Sequence, residues 1–332
     1  MPKMQKRVLI AVLVVLIIAV SGCRRASVDE PTEYNYRTGT EGLTLSFPSH
    51  TPTQIYENDN VNLMVEIRNS GAFPLTADEK GEFEGKIWIG GYDRGILTIE
   101  PESGQSADLN EDELEGKSSY NKDGGFSAVE FNMDAKNLPQ GMPYYKPRII
   151  VTASYFYKTL ANPMICVDPE PRSTRVREKV CNVGDYSASG AGSGKGVGSG
   201  LGSQGAPIAV TKIEEDVTSN DILFKIYIQN SGNGLVISKD DIGTDPNMGY
   251  DWRDINKVVI ESIKVGNKPM TNCRPKDVVQ LTDGKGYIFC TLSKSQVGED
   301  AYVTPLNIQL SYGYTTSIEK DIEIFEEVSF GS

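Results

Sequence analysis

The chain has 332 residues, 39% of them hydrophobic and 8% aromatic, with 33 Lys and Arg against 45 Asp and Glu and a formal charge of −12. That length suits two folded units, and the composition supports a buried core and excludes global disorder. The acidic balance argues against a non-specific nucleic-acid surface, which needs clustered cations, and a lone histidine, His50, removes Ser-His-Asp, Cys-His and multi-histidine zinc chemistry.

Lys3, Lys6 and Arg7 precede an uninterrupted apolar run over 8–20, followed by Val20-Ser21-Gly22-Cys23. This is the layout of an export signal over 1–22 with a small-residue processing site. The 13 apolar residues of 8–20 fall short of the roughly 20 needed to cross a bilayer. The motif closely resembles the lipobox of prokaryotic lipoproteins. That resemblance implies that Cys23 is lipidated, becomes the first residue, and attaches the chain to the extracytoplasmic face of the cell membrane. An uncleaved anchor and simple secretion are the alternatives, and each also places the rest of the chain outside the cytoplasm.

From Cys23 to Gly42 the chain is polar, contains Pro31 and has no period, as expected of a stalk. A first β-sandwich is expected over 43–186. In it Val61, Leu63, Val65 and Ile67 alternate with period two, and 86–92 and 126–133 are further strands. Tyr144, Tyr145, Tyr155, Phe156 and Tyr157 read either as a carbohydrate-stacking platform or, with Tyr155 and Tyr157 on one face, as core. Ser187–Pro207 is glycine-rich and is expected to be a flexible linker that lets the two modules orient independently. Within it Gly192-Ser193-Gly194-Lys195 fails the phosphate-loop pattern at Ser189 and Gly196. A second sandwich follows over 208–328, with a tail at 329–332. Its expected strands are 208–213, 222–228, 258–265, 278–281, 287–292, 306–314 and 317–324, with a hairpin turn at Asp283-Gly284.

Both alternating strands run into the same tripeptide, Asn69-Ser70-Gly71 and Asn230-Ser231-Gly232, at a constant offset of 161. A second match, Ser154-Tyr155-Phe156-Tyr157 with Ser311-Tyr312-Gly313-Tyr314, has an offset of 157. This internal repeat, with short strands and no 3.6 period after the signal, predicts an all-β chain of two tandem antiparallel immunoglobulin-like sandwiches. Asn and Gly in the tripeptide are expected to supply turn conformations closed to other residues.

Beyond Cys23 the cysteines are Cys166, Cys181, Cys273 and Cys290, with separations of 15 and 17 and no C-x-x-C spacing. The glycine-rich segment lies between the pairs, so Cys166–Cys181 and Cys273–Cys290 disulfides are expected in an oxidising compartment.

Acidic runs at 110–115 and from Asp240-Asp241 to Asp251 offer carboxylates, yet neither has the spacing of a calcium loop, and both read as solvated surface. No metal, cofactor or catalytic residue is assigned, and Ser193 fails as a nucleophile elbow because Ala191 stands where glycine is needed. Arg172, Arg175, Arg177 and Lys179 form a basic run inside the first disulfide loop. It is the candidate contact for an anionic surface polymer, a lipid headgroup or an acidic partner, the plainer reading being a solvated loop.

A strand ending in Asn-Ser-Gly and repeated in a second module resembles the immunoglobulin-like domains of archaeal and bacterial surface proteins, including the CARDB and S-layer-associated types. The segment leading into Gly205-Ala206-Pro207-Ile208-Ala209-Val210 is similar to surface lipoproteins of small archaea. The resemblance implies adhesion, scaffolding or display without enzymatic activity, toward an unknown surface protein or polysaccharide. The alternative is a structural subunit of an envelope layer or filament. One departure from the S-layer type is that no Asn-x-Ser/Thr acceptor occurs in the chain.

Overall fold

The computed structural model describes residues 35–76, 85–99, 105–109, 113–173, 179–187 and 201–327. The signal, Cys23 and most of the stalk lie outside these residues, as do Arg175, Arg177, 110–112 of the first acidic run, and 188–200 of the glycine-rich segment.

The first half forms β1 (Leu43–Ser46), β2 (Gln54–Tyr56), β3 (Asn60–Asn69), β4 (Gly85–Gly90), β5 (Leu97–Ile99), β6 (Ser106–Asp108), β7 (Phe126–Ala135), β8 (Tyr144–Tyr145), β9 (Arg148–Ala161), β10 (Met164–Val167) and β11 (Tyr186–Ser187). The second half forms β12 (Ile208–Val217), β13 (Asp221–Asn230), β14 (Val236–Ile237), β15 (Lys257–Val265), β16 (Lys268–Pro269), β17 (Asn272–Arg274), β18 (Val278–Gln280), β19 (Lys285–Ser293), β20 (Tyr302–Asp321) and β21 (Glu323–Phe325). No α-helix occurs among the described residues. The period-two pattern decides the inward face: Leu63, Val65 and Ile67 are buried on β3, and Ile222, Phe224, Ile226 and Ile228 on β13.

A four-stranded sheet, β1-β3-β7-β5, belongs to the first half, and a five-stranded sheet, β11-β12-β13-β19-β17, is built mainly from the second. Both lie on one side of a nine-stranded sheet ordered β16-β15-β20-β9-β4-β6, with β10, β14 and β18 joined at its flanks. On that side the Leu43 N–H donates to the Tyr155 hydroxyl at 3.0 Å, and the Ile208 N–H donates to the Tyr312 hydroxyl at 3.2 Å. The all-β sandwich expectation holds.

The halves do not orient independently. β9 and β20 pair antiparallel over fourteen residues, from Arg148 with Asp321 to Ala161 with Ile308. The same register continues at both ends, where β10 pairs with β20 (Val167 with Tyr302) and β21 pairs with β8 (Ile324 with Tyr145). At the repeat offset of 157, Phe156 corresponds to Gly313, and these two residues face each other in the ladder. A pseudo-two-fold axis therefore passes between them, normal to the sheet. The expected linker is also partly structured: Gln204 and Ala206 are buried, and Gly205 receives a hydrogen bond from Ala72 and donates one to Gly39. Composition alone predicts flexibility here, and it cannot register a neighbouring surface.

Two further expectations are corrected. The sequence predicts separate strands over 306–314 and 317–324, yet β20 runs without a break from Tyr302 to Asp321. Near the axis it is buried on both faces, so alternation is lost without the ladder ending. The Asp283-Gly284 turn forms, with φ of 50° and 71° and reciprocal Thr282–Lys285 backbone bonds. It makes a corner between layers, because β18 pairs with β15 while β19 lies between β13 and β17.

The repeated tripeptide works by a different mechanism from the one expected. Neither Asn69 nor Gly71 has positive φ. The Asn69 amide donates to the carbonyls of Phe73 (2.8 Å) and Leu114 (3.1 Å), and its Oδ1 accepts from the Tyr157 hydroxyl at 3.0 Å. Asn230 repeats this with Gly234 (2.9 Å) and Tyr314 (3.0 Å). The two sequence repeats thus meet in space, the tyrosine of one capped on the asparagine of the other.

Candidate functional site

The basic run of the first disulfide loop is only partly assembled as expected. Cys166 is bonded to Cys181, and Cys273 to Cys290. Arg172 is exposed. Lys179 turns inward: its Nζ lies 2.6 Å from Oδ2 of buried Asp168 and also donates to the Glu170 carbonyl. It neutralises a buried carboxylate and so does not project as a ligand contact, because a buried charge must be paired. Beneath this loop the Tyr186 hydroxyl accepts from the Cys166 N–H and donates to Glu215 Oε2, both at 3.0 Å. Burial, opposed by that hydroxyl and reinforced by the Asp168 charge, pushes the Glu215 carboxyl up to about 8.

The tyrosine cluster is divided. Tyr155 and Tyr157 are fully buried, with Tyr312 and Tyr314 beside them, and burial raises all four hydroxyls above their usual range. Tyr144 is exposed and lies beside Phe325. In the second acidic run, burial and the charges of Asp254, Asp240 and Asp251 raise Asp241. Among the described residues no group of three or more metal-ligating side chains is arranged to hold an ion.

A second surface escaped the sequence reading. On β13 and β19 the inward residues fill the core, so Lys225, Tyr227, Lys285, Tyr287 and Phe289 point outward. Tyr227 and Tyr287 are cross-strand neighbours with ring centroids 6.4 Å apart, and Lys225 Nζ lies 4.8 Å from each centroid. Phe289 is paired with Arg274 of β17 on its other side. Tyr287 and Phe289 are 54% and 39% exposed. They also line an open cleft of about 790 Å³ together with Arg274, Pro275, Val278, Gln280 and Lys285.

The pseudo-two-fold axis supplies an internal control. Carried back through the strand registers, Lys225, Tyr227, Tyr287 and Phe289 fall on Met64, Glu66, Ala128 and Glu130. There Glu66 accepts from Ser46 and Glu130 from Asn62, giving a polar, acidic face. The core residues of the two sheets are alike, and the outer faces differ at these positions, although Phe126 under Arg68, at the place of Lys285 and Gln229, leaves one exposed ring at the end of the acidic face. The sequence signal was present, since Tyr287 and Phe289 alternate with buried Ile288 and Cys290, but alternation alone cannot tell which face is inward.

No family model matches the chain, and no curated protein matches it. What the fold and site define is a class, an all-β protein of two pseudo-symmetric sandwiches sharing one sheet.

Proposed function

We propose that the chain is a membrane-anchored extracytoplasmic lipoprotein, held through lipid on Cys23, that acts as a non-enzymatic binding or scaffolding protein. The observation carrying the binding role is the aromatic and cationic outer face of β13 and β19, where Tyr227, Tyr287 and Phe289 stand together, whereas the symmetry-related face carries one exposed ring, Phe126, under Arg68 at its end and Glu66 and Glu130 in place of Tyr227 and Phe289. A face that served only solubility would have no reason to differ between halves in this way, and exposed aromatic rings flanked by cations are the composition of recognition surfaces. The anchoring half of the proposal rests on the Val20-Ser21-Gly22-Cys23 motif.

Two measurements test it. Intact mass of detergent-extracted protein is expected to show loss of residues 1–22 and added lipid, with Cys23→Ser released from the membrane; an unmodified Met1 in the membrane fraction overturns the anchor. Sedimentation with purified cell envelopes is expected to carry the Cys23→Ser protein down with them, and Tyr287→Ala/Phe289→Ala to leave it in the supernatant. Equal sedimentation of both proteins overturns the binding face.

A second reading, a subunit of an assembled envelope layer, is favoured by exposed Met248 and Trp252 on the loop between β14 and β15. It predicts concentration-dependent self-association that Trp252→Ala weakens.

A further inference from the structure

We infer that the ligand of the β13–β19 face is an acidic polysaccharide, a polymer of sugar rings bearing carboxylates. This deepens the binding reading above and rests on it.

Two properties of the face define the class. Tyr287 and Phe289 occupy alternate positions of one strand, so their rings are held side by side on a rigid ladder. Phe289 makes no ring or cation contact among the described residues. A pyranose ring presents a face of C–H groups that such rings accept by stacking. Around them stand Lys285 and Arg274, which form no ion pair among the described residues, and Lys225, which lies opposite Glu214 in the β12–β13 pair and feels its charge. On a chain of net charge −12 Lys285 and Arg274, with Lys225 shared with one carboxylate, place an excess of positive charge beside exposed rings, complementary to carboxylates on the edge of a sugar ring.

A peptide added as an extra strand fits less well. The sheet edge nearest the cleft is β17, only three residues long, and Pro275 directly after it has no N–H to offer. Nucleic acid would add phosphates throughout, against the acidic remainder of the surface.

The test is affinity electrophoresis of the whole Cys23→Ser protein through gels containing polygalacturonate, with neutral dextran, dextran sulfate and poly-glutamate as comparison probes. Polygalacturonate is expected to retard the protein, and neither dextran nor poly-glutamate to do so. Tyr287→Ala and Phe289→Ala are each expected to weaken retardation about tenfold. Arg274→Gln and Lys285→Gln should each weaken it about threefold and flatten its salt dependence. Glu130→Ala, on the symmetry-related face, should leave it unchanged. Equal retardation by dextran sulfate that Tyr287→Ala does not alter overturns the proposal, because it indicates a plain polyelectrolyte effect. No retardation by polygalacturonate overturns the ligand class; if envelope sedimentation still depends on Tyr287 and Phe289, the binding face itself stands. If that dependence is also absent, both fail.

Discussion

At the scale of single residues, the fold is fastened by polar groups placed where water cannot reach them. Asn69 is fully buried and satisfies two backbone carbonyls and one tyrosine hydroxyl at once. Asn69→Ala strands all three partners, and a loss of about 2–4 kcal/mol is expected from the cost of unmade buried hydrogen bonds. Asn230 is less buried and its amide serves one carbonyl, so Asn230→Ala should cost clearly less. Denaturant titration of the two variants decides this, and equal losses would contradict the asymmetry. Glu215 is the opposite case, a residue that weakens the fold as pH rises. Its carboxyl stays neutral in the folded chain up to about pH 8, whereas in the unfolded chain it ionises near its usual 4.5. Stability is therefore complete below about pH 4.5 and declines as pH rises to about 8. Glu215→Gln keeps an acceptor for the Tyr186 hydroxyl and removes the ionisation. Its melting temperature should match the native protein's near pH 4.5 and exceed it by several degrees at pH 8, a gap worth about 1–3 kcal/mol. A gap independent of pH would refute the assignment.

At the scale of elements, the glycines of the repeated tripeptide answer to crowding. A Cβ on Gly71 would stand 2.0 Å from the Tyr157 hydroxyl and 2.6 Å from the carbonyl oxygens of Glu41 and Gly205. Two of these are backbone atoms that cannot step aside, so Gly71→Ala should cost more than about 3 kcal/mol and lower the soluble yield. Gly298, with nothing within 4 Å, is the control, and Gly298→Ala should be near neutral. The alternating strands were legible from sequence because each buries one face. The continuity of β20 was less so, because a central strand loses its alternation near the axis, where both faces are covered. The Asp283-Gly284 turn was legible as a turn and misleading as a hairpin. Local φ preferences specify the reversal, and only packing decides whether the two arms stay in one layer.

At the scale of the whole molecule, the repeat could be read but not the way its copies meet. Offsets of 161 and 157 establish two related halves, yet nothing in either strand announces that β9 will choose β20 as its neighbour. The binding face was hidden for a related reason, since its cluster of three rings stands out as a site only beside the other half, where Glu66 and Glu130 take the places of Tyr227 and Phe289. The shared ladder carries a prediction opposite to that of two beads on a string. Pieces made by cutting the chain at a protease site inserted within 188–200 should elute together from a sizing column and part only in denaturant. Heating should give one cooperative transition for the nicked and the intact chain. Separate elution of the pieces, or two resolved transitions, would mean that the β9–β20 ladder does not hold in solution.

The axis between Phe156 and Gly313 also has a history in it. Two identical modules meeting edge to edge would place the same residue on both sides of the dyad, and any change there would be made twice. Here Phe156 is covered by Ile237 and Ile242, while a Cβ on Gly313 would press within 2.8 Å of Ile237 and of the Ser238 carbonyl. One partner must be large and the other bare, an arrangement closed to a homodimer. Two copies carried in one chain need not match themselves across the axis. The same freedom lets Tyr227 and Phe289 on one outer face correspond to Glu66 and Glu130 on the other. Single-module relatives, where they occur, are expected to be obligate dimers with a compromise residue at this position, and a monomeric one would refute that descent.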